Sequence, residues 1–184
     1  LARQIVAPHL TDEKTEIAIR MPLSAPKFPD NAVYGEAATQ LERHLANGQD
    51  VAVLCEGDPF FYGSFMYLFA RMAEKHMVEV VPGVSSPMAC AAVLGAPLAA
   101  QNDILTILPA PLPSVQLKAQ LDATDAAAII KLGRHFERVR ALISDLNLLD
   151  CARYIERATM DAERVVPLAA VEPGVTHVNL LDSM

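Results

Sequence analysis

The composition of this 184-residue chain excludes several classes of protein. Apolar residues make up 52% of it, which is enough for a hydrophobic core in one compact domain or two small ones. The net charge of −7 argues against a nucleic-acid-binding surface, which would show a basic stripe. Mean hydropathy is +0.25, yet no apolar run approaches the roughly 20 residues of a membrane span. We therefore expect a soluble cytoplasmic protein with neither a nucleic-acid nor a membrane partner.

The cysteines and histidines do not form a recognisable reactive or metal-binding pattern. Cys55, Cys90 and Cys151 are widely spaced, odd in number and set in apolar segments, which predicts buried thiols in a reducing compartment. The five histidines show no ligand spacing with a cysteine or a carboxylate, so we expect no metal site. A Cys–His nucleophile would have to use Cys55 or Cys90, and neither has the sequence context of a cysteine hydrolase.

The first hundred residues alternate short apolar runs with segments of helical spacing. We predict strands at 17–20, 51–54 and 78–81, and helices at 32–46, 63–76 and 88–94. A long proline-bearing loop follows the first of these strands, and Asn47-Gly48 supplies the stop of the first helix. Residues 97–102 have the character of a linker.

The remainder of the chain continues the same alternation. We predict strands at 103–108, 126–131, 152–155 and 165–170, and helices at 117–121 and 136–143. Alternation of this kind indicates βαβ units and a mainly parallel or mixed sheet. The sequence therefore predicts an α/β protein of two lobes, residues 1–100 and 101–184.

Four loops at the carboxyl ends of predicted strands carry the polar residues, namely 56–63, 82–87, 131–135 and 156–160. Small molecules bind at this edge of open α/β sheets, because loop amides and helix N-termini point there. The Gly-Asp-Pro turn at 57–59 is not a P-loop, since it lacks the Gly-Lys-Ser/Thr that holds phosphate and magnesium. Ser85 or Ser86 is a candidate cap for the helix that follows. We expect a polar small molecule to bind in a cleft between the lobes.

Three of these segments resemble the tetrapyrrole methylases. They are Glu-Gly-Asp-Pro-Phe-Phe-Tyr-Gly at 56–63, Val-Val-Pro-Gly-Val-Ser-Ser at 80–86 and Glu-Arg-Ala-Thr-Met at 156–160, and they occur in the family's order. The resemblance covers nearly the whole chain. It implies two α/β domains that clasp S-adenosylmethionine, a tetrapyrrole in the trough between them, and a homodimer. The branch that these motifs most resemble implies methylation of C-20 of precorrin-2, giving precorrin-3A, in corrin-ring synthesis.

The resemblance assigns cofactor contacts by motif position, and it identifies no catalytic residue. The implied cofactor-binding residues are Glu56, Gly57, Asp58, Phe61, Ser85, Ser86, Leu132 and Ala158. We expect Asp58 to orient the loop or the cofactor rather than to act as a base. Because precorrin-type substrates carry many carboxylates, an acidic protein needs locally basic residues to bind them. The candidates are Arg20, Lys27, Arg134 and Arg138.

The sequence departs from the family at both ends. Neither the opening strand with its Gly-x-Gly-Pro-Gly-Asp loop nor the final strand is present, so we expect a chain truncated at both ends. Other readings stay open. One is a methylase of the same fold acting on cobalt-precorrin-2, on a different ring carbon, or on a protein or RNA. Another is a non-catalytic binding module that has lost its first cofactor loop.

Overall fold

The computed structural model describes residues 2–11, 13–20 and 31–172. These residues form two compact units that divide between Val84 and Ser85. The helix predicted at 88–94 therefore belongs to the second unit, whereas a boundary at residue 100 places it in the first lobe. A domain boundary at residue 100 stays a prediction for the family fold.

The first unit is organised around two helices. α1 spans Ala2–Val6, α2 spans Asn31–Ala46 and α3 spans Phe65–Met72, with a 3-10 turn at Ala7–His9. The prediction of α2 is confirmed to within one residue, and α3 is shorter than the predicted 63–76. Apolar side chains at helical spacing bury where α2 meets α3. This core consists of Tyr34, Ala37, Ala38, Leu41, Leu68 and Met72.

The three predicted strands of the first unit are segments without regular secondary structure. Segments 17–20, 51–54 and 78–81 each place apolar side chains against the helical core, as Ile17, Val51 and Val78 do. Among the described residues, no backbone–backbone hydrogen bond joins these segments to a neighbour. The strand predictions at these positions are therefore wrong for the described part of the unit. Alternating burial alone does not make a β-ladder, which requires a hydrogen-bonded neighbour.

The second unit contains every element predicted between residues 103 and 170, with ends shifted by a few residues. The helices are α4 (Ser86–Leu94), α5 (Ser114–Leu121) and α6 (Phe136–Asp145). The strands are β1 (Leu105–Pro109), β2 (Ala126–Ile130), β3 (Arg153–Glu156) and β4 (Arg164–Pro167), and 3-10 turns lie at Gly133–His135 and Leu168–Ala170. These predictions are confirmed, except that the last predicted strand ends in a 3-10 turn.

The described strands of the second unit form two separate two-stranded sheets, rather than the single mainly parallel or mixed sheet that we predicted. β1 pairs in parallel with β2 from Leu105↔Ala126 to Pro109↔Ile130, and α5 makes the crossover. β3 pairs antiparallel with β4. The core of the unit contains residues from all of these elements. The rings of Phe136 and Tyr154 pack edge-on in it, with centroids 5.4 Å apart. Its buried members are Leu108, Ala110, Leu117, Phe136, Val139, Ile143, Tyr154, Leu168 and Val171.

Candidate functional site

In the first unit, Asp58 ties the loop at 56–63 to the segment at 82–84. One carboxylate oxygen accepts the N–H of Phe60 at 2.9 Å, which tightens the turn. The other accepts the N–H of Gly83 at 3.0 Å, across 25 residues of sequence. The N–H groups of Gly83 and then Phe60 hold the pKa of the Asp58 carboxyl below its ordinary value, and burial acts in the opposite direction. Asp58 is therefore an ionised acceptor that organises two loops.

The same two segments are in direct backbone contact. A Cβ placed on Gly83 would lie 2.1 Å from the carbonyl oxygen of Gly57 and 2.9 Å from its carbonyl carbon. Only a residue without a side chain fits there. Gly57 itself has a φ of 67°, in the left-handed region. Sequence analysis did not single out Gly83, although a Pro-Gly pair after an apolar run was a signal for a close backbone approach.

The rest of the Gly-Asp-Pro loop is built from aromatic side chains on a constrained backbone. Phe61 is half-buried and its ring lies edge-on to Tyr62, with centroids 5.1 Å apart. Tyr62 has a φ of 54°, and a Cβ on Gly63 would lie 2.8 Å from the carbonyl oxygen of Pro59. Glu56 accepts the N–H of Ala2 at 2.9 Å. The predicted residues Glu56, Gly57, Asp58 and Phe61 thus lie together in one tight turn.

In the second unit, Ser85 and Ser86 lie at the start of α4. Ser85 occupies the N-cap position with an extended backbone, is 7% exposed, and makes no side-chain capping hydrogen bond. Ser86 is exposed and is the first residue of the helix. Ser85 thus holds the cap position that the sequence indicated, but capping does not account for its hydroxyl. Both residues remain available for the cofactor role that we predicted.

The loop after β2 begins with a left-handed residue. Lys131 has a φ of 61° and is exposed, and Leu132 packs its side chain against the core of the second unit. The chain then makes the 3-10 turn Gly133–His135 and enters α6. Leu132 is therefore firmly held, and its backbone lies at the carboxyl end of a parallel strand, where the sequence predicted a ligand contact.

The loop after β3 is also strained. Arg157 and Thr159 have φ values of 52° and 66°, and they flank Ala158. The N–H of Thr159 donates to a carboxylate oxygen of Glu163 at 2.6 Å, which holds this conformation. Left-handed non-glycine residues cost free energy and concentrate at ligand-binding loops.

Such residues are concentrated in the predicted cofactor loops. The structure describes six non-glycine residues with positive φ, and four of them fall in these loops. The four are Tyr62, Lys131, Arg157 and Thr159.

The basic residues predicted to bind substrate differ in their availability. Arg20 and Arg134 are exposed, whereas Lys27 lies outside the described residues. Arg138 is half-buried, and its guanidinium donates to the hydroxyl of Ser114 at 3.0 Å and to the carbonyl oxygen of Ala110. Those contacts join α6 to the first residue of α5 and to the loop that precedes it, so part of the guanidinium already has a structural function.

The three cysteines differ in their exposure. All three cysteines are free, and Cys151 is exposed, which corrects the expectation that all three are buried. Burial raises the pKa of the Cys55 and Cys90 thiols, so both stay protonated at neutral pH.

Within residues 2–11, 13–20 and 31–172, no three His, Cys, Asp or Glu side chains are grouped to hold a metal ion. Nor does that part of the chain contain a helix long and apolar enough to cross a bilayer.

Comparison with known proteins points to one family. Residues 1–172 match the family model for tetrapyrrole (corrin/porphyrin) methylases. A precorrin-2 C(20)-methyltransferase from a Sinorhizobium species is 35% identical over 175 residues, which is 91% of this chain and 71% of that protein. The cobalamin biosynthesis protein CobIJ of Mycobacterium tuberculosis is 37% identical over 189 residues. That match covers 98% of this chain and 37% of the mycobacterial protein, so the chain spans well under half of that relative's length.

A solved structure supports the fold. The crystal structure of the methyltransferase CobJ matches with a TM-score of 0.57, covering 78% of this chain and 67% of that one. The two are 23% identical in sequence, so the match bears on architecture alone. The α/β fold predicted from the sequence is confirmed.

Proposed function

This chain belongs to the tetrapyrrole (corrin/porphyrin) methylases, and we propose that it is an S-adenosylmethionine-dependent methyltransferase of corrin-ring synthesis. The reaction is transfer of a methyl group to C-20 of precorrin-2, giving precorrin-3A. The observation that carries the proposal is the 35% identity to a precorrin-2 C(20)-methyltransferase, sustained over 91% of the chain.

Features of the loops in each unit support S-adenosylmethionine as the cofactor. In the first unit, the Gly57–Gly83 approach leaves backbone groups uncovered by side chains, and the half-buried ring of Phe61 offers an apolar surface. In the second unit, Ser85, Ser86, Leu132 and Ala158 lie on held or strained backbone at element ends. We propose that these residues, with Glu56 and Asp58, hold the cofactor.

The bound cofactor supplies an electrophilic methyl group on its sulfonium. In-line displacement by an electron-rich ring carbon needs no protein nucleophile, so the chain's contribution is to hold the two reactants in line and to exclude water. This positioning role agrees with two features of the loops. The thiols of Cys55 and Cys90 are protonated, and the Asp58 carboxylate accepts two backbone hydrogen bonds. We propose that Arg20 and Arg134, with Lys27 and Arg138, bind the carboxylates of the tetrapyrrole.

Location and assembly complete the proposal. We propose a cytoplasmic homodimer, which rests on the resemblance to the family. Sedimentation of the purified protein measures the assembly directly.

The direct test is methyl transfer with isotopically labelled S-adenosylmethionine. Precorrin-2 and its cobalt complex are supplied in parallel, and product mass and the labelled carbon are determined. Label at C-20 supports the proposal, and the better substrate decides whether cobalt is present at this step. No label in either macrocycle, with cofactor binding retained, would overturn the proposed acceptor. No cofactor binding at all would favour the alternative of a non-catalytic binding module.

A matched pair of serine variants tests the cofactor site. Ser86→Ala removes an exposed hydroxyl at the first residue of α4, and Ser144→Ala removes an exposed hydroxyl near the end of α6. We expect Ser86→Ala to weaken S-adenosylmethionine binding by roughly two- to tenfold, the range for one lost hydrogen bond, and Ser144→Ala to leave it unchanged. Equal affinities for both variants, measured by calorimetry, would remove Ser86 from the site.

A further inference from the structure

The Gly-Asp-Pro loop and the segment around Gly83 cross each other with no side chain between their backbones. A Cβ on Gly83 would come within 3.3 Å of the Cα of Asp58 and 2.1 Å of the carbonyl oxygen of Gly57. Two backbone segments stay this close only if an interaction holds both of them in place. The two segments are 25 residues apart, and no backbone–backbone hydrogen bond among the described residues joins them.

The carboxylate of Asp58 supplies the interaction that joins the two segments. Its two oxygens accept from Phe60 N at 2.9 Å and from Gly83 N at 3.0 Å, so one side chain bonds its own turn and the crossing segment together. Hydrogen bonds to an ionised acceptor are stronger than those between neutral groups. Each oxygen of this side chain therefore takes part in holding one of the two segments.

We propose that Asp58 is a positioning residue that locks the crossing of the two loops and so fixes the shape of the cofactor site. This inference rests on the proposed function for its second half, because it takes S-adenosylmethionine as the ligand of the Gly-Asp-Pro loop. The first half, the lock between Asp58 and Gly83, stands on the geometry alone. It gives Asp58 a role in addition to the cofactor contact that the family resemblance implies.

Two substitutions of Asp58 should weaken its bond to Gly83 to different degrees. Asp58→Asn keeps one acceptor oxygen and loses the charge, and Asp58→Ala removes both acceptors. We expect hydrogen exchange at the Gly83 amide to accelerate about tenfold or more in Asp58→Asn and further in Asp58→Ala, since each loses a charge-assisted bond. Asp103→Asn is the matched control, because Asp103 also accepts a backbone N–H, that of Ala100 at 2.8 Å, in the second unit.

Ligand binding then separates a positioning role from a direct contact. With S-adenosylmethionine and S-adenosylhomocysteine as probes, we expect affinity to fall in parallel with the faster Gly83 exchange, about tenfold for Asp58→Asn and more for Asp58→Ala. In the methyl-transfer assay, KM for S-adenosylmethionine rises while kcat stays within about twofold, as for an interaction made equally in ground and transition states.

Each other outcome overturns a specific statement. Weaker binding with unchanged Gly83 exchange would show that Asp58 contacts the ligand directly and that the lock is wrong. Faster Gly83 exchange with unchanged affinity would show that the lock does not shape the cofactor site. If the unsubstituted protein binds neither probe, the proposed function fails, and Gly83 exchange in the two variants still decides whether Asp58 holds the crossing.

Discussion

Two short apolar segments, Val51 to Leu54 in the first unit and Ala126–Ile130 in the second, have similar sequences and different structures. Ala126–Ile130 is β2, hydrogen-bonded in parallel with β1 along its whole length. The segment at 51–54 has no regular secondary structure, although Val51 and Val53 pack onto the core between α2 and α3, and it has no ladder among the described residues. A short apolar segment can therefore pack onto a helical core without pairing in a sheet.

The two units therefore hold their predicted cofactor loops by different means. In the second unit, the loops after β2 and β3 begin where a hydrogen-bonded strand ends, so the ladder fixes their starting points. In the first unit, the loop at 56–63 follows a segment that pairs with no other described segment, and it is fixed by the Asp58 carboxylate and the contact of Gly57 with Gly83. In the first unit the Asp58 side chain fixes the position of the loop, whereas in the second unit a pair of hydrogen-bonded strands does so.

Hydrogen exchange gives the largest contrast. We expect the amides of 51–54 and 78–81 to exchange about 10³-fold faster than ladder amides of β1 and β2, because only the latter must break a structural hydrogen bond. Mass spectrometry of deuterated peptides from the 184-residue chain measures both regions in one sample. Equal protection in the two units would show that the first unit contains a ladder and would remove the contrast.

Core substitutions sharpen the comparison next. Phe136 is 2% exposed and packs against Tyr154, so Phe136→Ala should lower the free energy of unfolding of the second unit by about 3–5 kcal/mol. Phe60 is 47% exposed and contacts the rings of Phe65 and Phe69 in the first unit, so Phe60→Ala should cost only about 0.5–1.5 kcal/mol. Urea unfolding followed by fluorescence and circular dichroism measures both. Similar losses would mean that the loop aromatics are as tightly packed as the core.

Substitutions of two glycines of the first unit should change stability in opposite directions. Gly83→Ala places a Cβ against the backbone of Gly57 and should cost about 1–3 kcal/mol. Gly35→Ala, in the middle of α2, meets nothing within 4 Å and should stabilise the helix by about 0.5–1 kcal/mol. Thermal unfolding of the pair is the measurement. A neutral Gly83→Ala would show that the loop crossing is loose.

The local patterns were reliable where an element satisfies its own hydrogen bonds or has a partner nearby in sequence. Apolar positions at helical spacing predicted α2 and α6, and the alternation after residue 103 predicted β1 and β2 with their crossover helix. The same kind of pattern failed at 17–20, 51–54 and 78–81. A helix closes its hydrogen bonds within itself, whereas a strand depends on a neighbour that its own sequence does not contain.

The candidate site divides in the same way. The order of the Gly-Asp-Pro, Pro-Gly-Val-Ser-Ser and Glu-Arg-Ala-Thr-Met segments was sufficient to recognise the family, and the family model and relatives confirm it. The individual cofactor and substrate contacts stay predictions. Arg138 shows why side-chain roles are harder to infer, since a basic residue expected to face a carboxylate also donates to Ser114 and Ala110 within its own unit.

By itself, the sequence determined the family, the α/β class, the positions of the turns and the helices that build each core, because periodicity, glycine and proline act over a few residues. Only the tertiary structure decided that Asp58 bonds Gly83, that Gly83 must lack a side chain, and that α4 belongs to the second unit. These features depend on backbone groups that are far apart in the chain, and no local pattern of residues specifies which distant N–H an oxygen will accept.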